Sequence, residues 1–171
     1  MNKKDCIFAI QIFFMKRFLL IVSLVGFVGL CACHSNREGN VLISRTFPTY
    51  SWERFDFLEQ SIELKKPTTY DLVLVASFAP EYPFDYFEMC FTVFDNREHP
   101  LRAKNYRFTL KDRDGTWKSD LTENGYCFTF PVNSALMLNE PGTYLFQIEN
   151  RMPITPLLGI KEISLVNMKK K

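Results

Sequence analysis

"GTYLFQIENRM", residues 142–152, alternates with a period of two: Tyr144, Phe146 and Ile148 point one way, Leu145, Gln147 and Glu149 the other. A helix repeats every 3.6 residues and a strand every two, so this stretch reads as a half-buried strand. The same reading extends outward from it. "FEMCFTVFDN" from Phe87 stacks Phe87, Met89, Phe91 and Val93 on one face and ends in an Asp-Asn turn. "NYRFTLKD" gathers Tyr106, Phe108 and Leu110, and "GYCFTFPV" gathers Tyr126, Phe128 and Phe130. "YDLVLVASFA" from Tyr70 is apolar on both faces, as a central strand covered on both sides is. "RFDFLEQSIEL" opens the series with a slip of phase near Leu58 that a bulge would allow, and "GIKEISLVNM" closes it.

Turn formers separate these runs: "KKPTT", "APEYP", "NREHP", "DRDG", "NEPG" and "MPITP". The single helical hint is one turn in "NSALML". About seven short strands at this spacing predict an all-β fold, an antiparallel β-sandwich with a jelly roll as its variant.

The N-terminal part has a different logic. Lys16 and Arg17 precede 13 uncharged residues, Phe18 to Leu30, and then "LCAC". That run fits a signal h-region and falls short of the ~20 residues that cross a bilayer. The preceding block, "MNKKDCIFAIQIFF", is not needed by such a signal, so Met15 is an alternative start. Leu30, Cys31, Ala32 and Cys33 fit a lipoprotein box. Cutting before Cys31 would set bulky Leu30 beside the scissile bond, which makes Cys33 the lipid acceptor. The expected organisation is a signal peptide over 1–32, a lipidated N-terminus and tether over 33–49, and a β-sandwich over 50–171. Removing the leader turns the formal charge from +2 to −1 and leaves 139 residues, enough for one core. Lys and Arg are scattered, with a "KKK" tail at 169–171, so no nucleic-acid partner is expected.

Cys90 and Cys127 remain in the mature chain. A bridge between them would close 37 residues and add about 3–4 kcal/mol; each also sits in an apolar run, where a lone cysteine serves as a small hydrophobe. Both readings stay open.

Chemistry is hard to find in these residues. Asp112, Asp114 and Glu123 occupy positions 1, 3 and 12 of a nominal calcium loop, but glycine falls at position 4 and no helices flank it. A strand-connecting turn with Gly115 at positive φ is the expectation. The carboxylate pairs Asp112/Asp114 and Glu53/Asp56 read as turn residues rather than a glycosidase pair. No G-x-S-x-G occurs, and with His34 beside the cut, His99 is the one histidine left as a general base. No enzyme, metal or cofactor is expected. "APEYPFDYF", with Tyr82, Phe84, Tyr86 and Phe87, offers the alternative of a sugar-stacking platform on a glycan-binding surface lipoprotein.

"SWERFDFLEQS", "YPFDYFEMCFTVFD", "DRDGTW" and "PGTYLFQIENRMPITPLLGIKEISLVN", in this order behind a lipobox, resemble the GldH-type gliding motility-associated lipoproteins of Bacteroidetes from about Trp52 onward. The family's pattern carries over onto Trp52, Tyr82, Phe84, Gly115, Trp117, Gly142, Tyr144, Met152 and Gly159. The resemblance implies an envelope lipoprotein that assists the gliding apparatus and linked secretion through other envelope proteins, with no catalytic residue to transfer. "HSNRE", residues 34–38, lacks a dense acidic run, which favours an outer-membrane anchor with the domain facing the periplasm.

Overall fold

In the computed structural model, residues 39–168 are described. Their elements are all strands: β1 (Asn40–Thr46), β2 (Ser51–Trp52), β3 (Leu58–Leu64), β4 (Thr68–Phe78), β5 (Tyr86–Phe94), β6 (Pro100–Thr109), β7 (Leu121–Thr122), β8 (Gly125–Leu138), β9 (Gly142–Asn150), β10 (Leu157–Leu158) and β11 (Ile160–Asn167). One sheet runs β1-β11-β4-β8-β7, the second β3-β9-β5-β6, and β2 pairs with β10 in a two-stranded ribbon. All pairings are antiparallel. The two large sheets form a β-sandwich curled into a half-barrel. With the short β2, β7 and β10 set aside, successive strands alternate between sheets except at the β5–β6 hairpin, the interleaved order of a jelly roll.

The period-two stretches supply the core. Tyr144, Phe146 and Ile148 of β9 meet Phe87, Met89, Phe91 and Val93 of β5 in one sheet and Leu72, Leu74, Ala76 and Phe78 of β4 in the other, and all are buried. An edge-on ring contact joins the layers, Tyr70 of β4 to Phe146 of β9 at 5.6 Å between centroids, and Phe146 meets Phe91 of its own sheet edge-on at the same distance. On the outer face of β4, Val73 and Val75 are only half-buried, so that strand is central but covered fully on one side.

Three local expectations change. Residues 40–46, assigned to the tether, form β1, paired with β11 from Asn40↔Asn167 to Thr46↔Glu162. The strand lies at the sheet's edge and buries little beyond Ile43, with Phe47 just after it, so its alternation is too sparse to recognise. "NSALML" is the end of β8, not a helical turn: Leu136 and Leu138 are buried while Ala135 and Met137 are exposed. The slip near Leu58 is not a bulge, because β3 keeps unbroken register with β9 from Leu58↔Ile148 to Leu64↔Gly142. It marks the start of the strand after a turn in which Phe55 takes φ 66°.

The registers define two ends. At the proximal end lie Gly39 and Met168, with the connections 65–67, 95–99 and 139–141. At the distal end lie the connections 47–57, 79–85, 110–124 and 151–159. The eleven residues of β4 make the separation roughly 35 Å.

Candidate functional site: two exposed surfaces on a rigid sandwich

The residues singled out by pattern turn out to be mostly framework at the distal end. Trp52 is fully buried between Phe47 and Phe87, with centroids at 5.3 and 6.2 Å, and its indole N–H donates to the Asp56 carbonyl (2.6 Å). Tyr82 is fully buried against Phe78 (4.8 Å) and donates its hydroxyl to the Tyr86 carbonyl (3.0 Å). Burial, helped by the nearby Tyr86 and Glu88, pushes the Tyr82 phenol far above its ordinary value, so it stays a neutral donor. Phe84 packs half-buried between Tyr82 and Tyr86. Buried Met152 accepts the Glu88 amide N–H on its sulfur (3.1 Å). Gly159 has φ +85°, and a Cβ there would sit 2.8 Å from the Tyr82 Cα. Gly115 has the same φ in its turn, where the Gly115 amide donates to the Asp112 carbonyl (3.0 Å). Trp117 stacks on Tyr126 at 4.1 Å, with the Lys111 ammonium 4.4 Å over its ring. Gly142 and Tyr144 lie at the proximal end, where the Tyr144 hydroxyl donates to the Glu140 carbonyl (2.9 Å).

Because Tyr82 and Phe87 are inside the core, they cannot present a ring to a sugar; only Phe84 and Tyr86 are partly accessible. The disulfide reading is also corrected. Both thiols are free, Cys90 on the outer face of the β5 sheet and Cys127 on the outer face of the β8 sheet, pointing away from each other across the core. The Asp112–Glu123 stretch is a tight turn over 112–116 followed by the short β7: Asp114 caps the Thr116 amide (3.2 Å) and Asp112 faces Lys118 (3.6 Å). Hydrogen bonds from Thr116 hold the Asp114 carboxyl below its ordinary value. Among the described residues no three His, Cys, Asp or Glu side chains come together. His99 is exposed, 3.6 Å from Asp95. Cys33 and the 169–171 tail lie outside the described residues.

Two surfaces stand out instead. At the distal end, Tyr50, Phe55, Phe57, Ile154 and Leu158 are exposed large apolar side chains, with Phe55 at 72% and Leu158 at 54%. Their two segments are pinned to each other. The Arg54 amide donates to Thr155 Oγ1 (3.0 Å), the Arg54 guanidinium donates to the Met152 and Pro153 carbonyls (3.2 Å each), and the Gly159 amide donates to the Tyr50 carbonyl (2.7 Å). Tyr50 and Phe55 hold positive φ (54° and 66°), which bulky residues avoid, so the surrounding bonds keep them there. These residues escape pattern reading because they fall in turn-rich segments; isolated aromatics among turn formers are the only signal.

The second surface is the open side of the half-barrel. β6 ends one sheet, and beyond the two residues of β7 so does β8. A row of rings fills the upper part of the seam between them: Phe128 on Phe130 (5.4 Å), Phe130 on Phe108 (4.2 Å) and Phe108 on Tyr106 (5.8 Å), all stacked. The Tyr106 hydroxyl crosses the seam to donate to the Val132 carbonyl (2.5 Å), and burial raises the phenol's pKa, keeping it a donor. Below this bridge the seam opens into a cavity of about 590 Å³ lined by Val93, Leu101, Arg102, Leu136, Leu138 and Tyr144.

No curated protein matches the chain. A family model described as GldH lipoprotein matches residues 43–166, which runs from within β1 to within β11 and touches every strand of the sandwich. On that match the chain belongs to the GldH lipoprotein family.

Proposed function

We propose that this chain is a non-enzymatic accessory or scaffold component of the gliding motility and associated secretion machinery of the cell envelope. It is held at the outer membrane by lipid on Cys33, faces the periplasm and works by binding other envelope proteins. The observation that carries the reading is the exposed apolar cluster at the distal end, set on a pinned and strained frame at the opposite pole from the point where the chain enters the sandwich. Gly39 follows Cys33 by six residues, a reach of at most roughly 20 Å, so an anchored Cys33 keeps the proximal end near the lipid and lifts the cluster away from it. Clustered exposed apolar side chains mark interaction sites more often than scattered ones do.

Purification of the chain from gently extracted membranes tests this. Envelope proteins are expected to come with the native chain and to be depleted with the double variant F55S/L158S, whose fold is kept because both side chains are exposed. Recovery of the native chain alone would contradict the reading.

A further inference from the structure

We infer that the seam between β6 and β8 is a receptor for an extended, acidic segment of a partner protein, which adds to the free edge of β6 and closes the half-barrel. The inference deepens the binding role proposed above but is carried by a different surface. Its test does not involve the distal cluster, so either can fail alone.

Backbone chemistry comes first. Among the described residues, no backbone hydrogen bond leaves β6 on the side away from β5, and β8 beyond its first residues has only β4 beside it. Side chains stand in for the missing neighbour, with Ser119 donating to the Cys127 carbonyl (2.7 Å) and Tyr106 to the Val132 carbonyl. That phenol and the stacked rings above it occupy the seam at their level, so the room for an added strand lies below the bridge, beside Leu101 to Asn105 of β6.

Charge then selects the occupant. β6 reads "PLRAKNYRFT", with three cations and no acid, and its Arg102, Lys104 and Arg107 are all exposed. Arg107 is paired with Glu88 (2.8 Å). Arg102 and Lys104 lie opposite Val93 and Phe91, on the cavity side, and neither has a carboxylate within ion-pair distance among the described residues. Lys104 rests over the Tyr106 ring instead (4.9 Å). The cavity also holds two carboxylates: Asp95, whose Oδ1 is spent on the Arg97 and His99 amides (2.8 and 2.9 Å), and Glu140, in the 139–141 connection at its proximal rim, so the cationic stretch open to an acidic strand is Arg102 and Lys104 of β6 itself. A second copy pairing β6 against β6 would bring cation against cation, the arrangement by which edge strands refuse self-association. Pro131 on β8 has no N–H to offer a neighbour and guards that edge likewise. An acidic strand meets none of this repulsion, gains main-chain bonds along β6, and places alternate side chains into the cavity.

The test uses the purified, full-length lipidated chain and a capped ten-residue peptide of alternating glutamate and valine, with its lysine counterpart as control. Amide hydrogen exchange is followed along the chain. The glutamate peptide is expected to slow exchange within residues 101–107, the lysine peptide to leave it unchanged, and R102E/K104E to weaken binding by roughly tenfold or more. If the reversed charges disturb folding, as circular dichroism would reveal, R102Q/K104Q replaces them with a smaller expected loss. Four results overturn the inference: no slowing in β6 with the glutamate peptide, equal slowing by the lysine peptide, protection of β6 that grows with the chain's own concentration, or equal protection by phosphatidylglycerol vesicles. The third would make the occupant a second copy, and the fourth would make it lipid.

Discussion

Gly115 and Gly159 share a φ of +85° but not their surroundings, which makes them a matched pair for separating backbone strain from close packing. Replacing either with alanine forces a side chain into the left-handed region, at a cost of about 1–2 kcal/mol, and stiffens the unfolded chain by a similar amount in each case. At Gly115 nothing lies within 4 Å of the new Cβ, so strain is the whole effect. At Gly159 the new Cβ meets the Tyr82 Cα at 2.8 Å, its Cβ at 3.0 Å and its N at 3.1 Å. Neither partner can retreat easily. The Gly159 amide is bonded to the Tyr50 carbonyl (2.7 Å), the Ala79 amide to the Gly159 carbonyl (2.8 Å), and Tyr82 is fully buried. Overpacking of this kind adds typically about 1–3 kcal/mol, so G159A is expected to lose about 2–5 kcal/mol against about 1–2 for G115A. Urea unfolding of both variants, with unchanged m-values, measures the difference. Equal losses, or a larger loss at Gly115, would refute the close approach of the 159 and 82 backbones.

Two further outcomes follow from the geometry. C90A/C127A is expected to keep stability within about 1 kcal/mol of the native chain, and both native thiols are expected to titrate with a thiol reagent after denaturation without reductant, whereas a bridge would cost about 3–4 kcal/mol to remove. The Asp95 carboxyl, which accepts the His99 and Arg97 amides, is held below its ordinary value chiefly by the His99 backbone bond. Its contribution is therefore present above the unfolded-state pKa near 3.8 and lost as pH falls through the lower folded value. Because the amide rather than the imidazole dominates, H99A should leave most of the shift in place in an NMR titration, and a return to the ordinary value would contradict that assignment.

Strands whose buried face is long and aromatic were legible directly. β5, β8 and β9 each carry three or more large apolar residues at alternate positions, and their inward faces are the ones the alternation predicts. β1 was hidden because an edge strand buries almost nothing, and "NSALML" because so short a run of apolar residues satisfies either period. The aromatics of "APEYPFDYF" showed that something packs there but not which way they face, since a turn has no period to read. Long-range pairing explains the rest. Whether Cys90 and Cys127 can meet, and whether β6 is left with a free edge, depends on which sheet each strand joins, and local composition carries no record of that. The distal cluster was missed for the same reason: Phe55 and Ile154 are a hundred residues apart and become neighbours only through the bonds of Arg54 to the 152–155 segment.

The central claim is that the sandwich stands with its proximal end towards lipid and its apolar cluster towards a protein. Photo-crosslinking in intact cells from two positions of the otherwise native chain, Lys65 and Phe55, tests it most directly. The account predicts phospholipid adducts from position 65 and protein adducts from position 55; the reverse assignment, or lipid adducts from both, would contradict it.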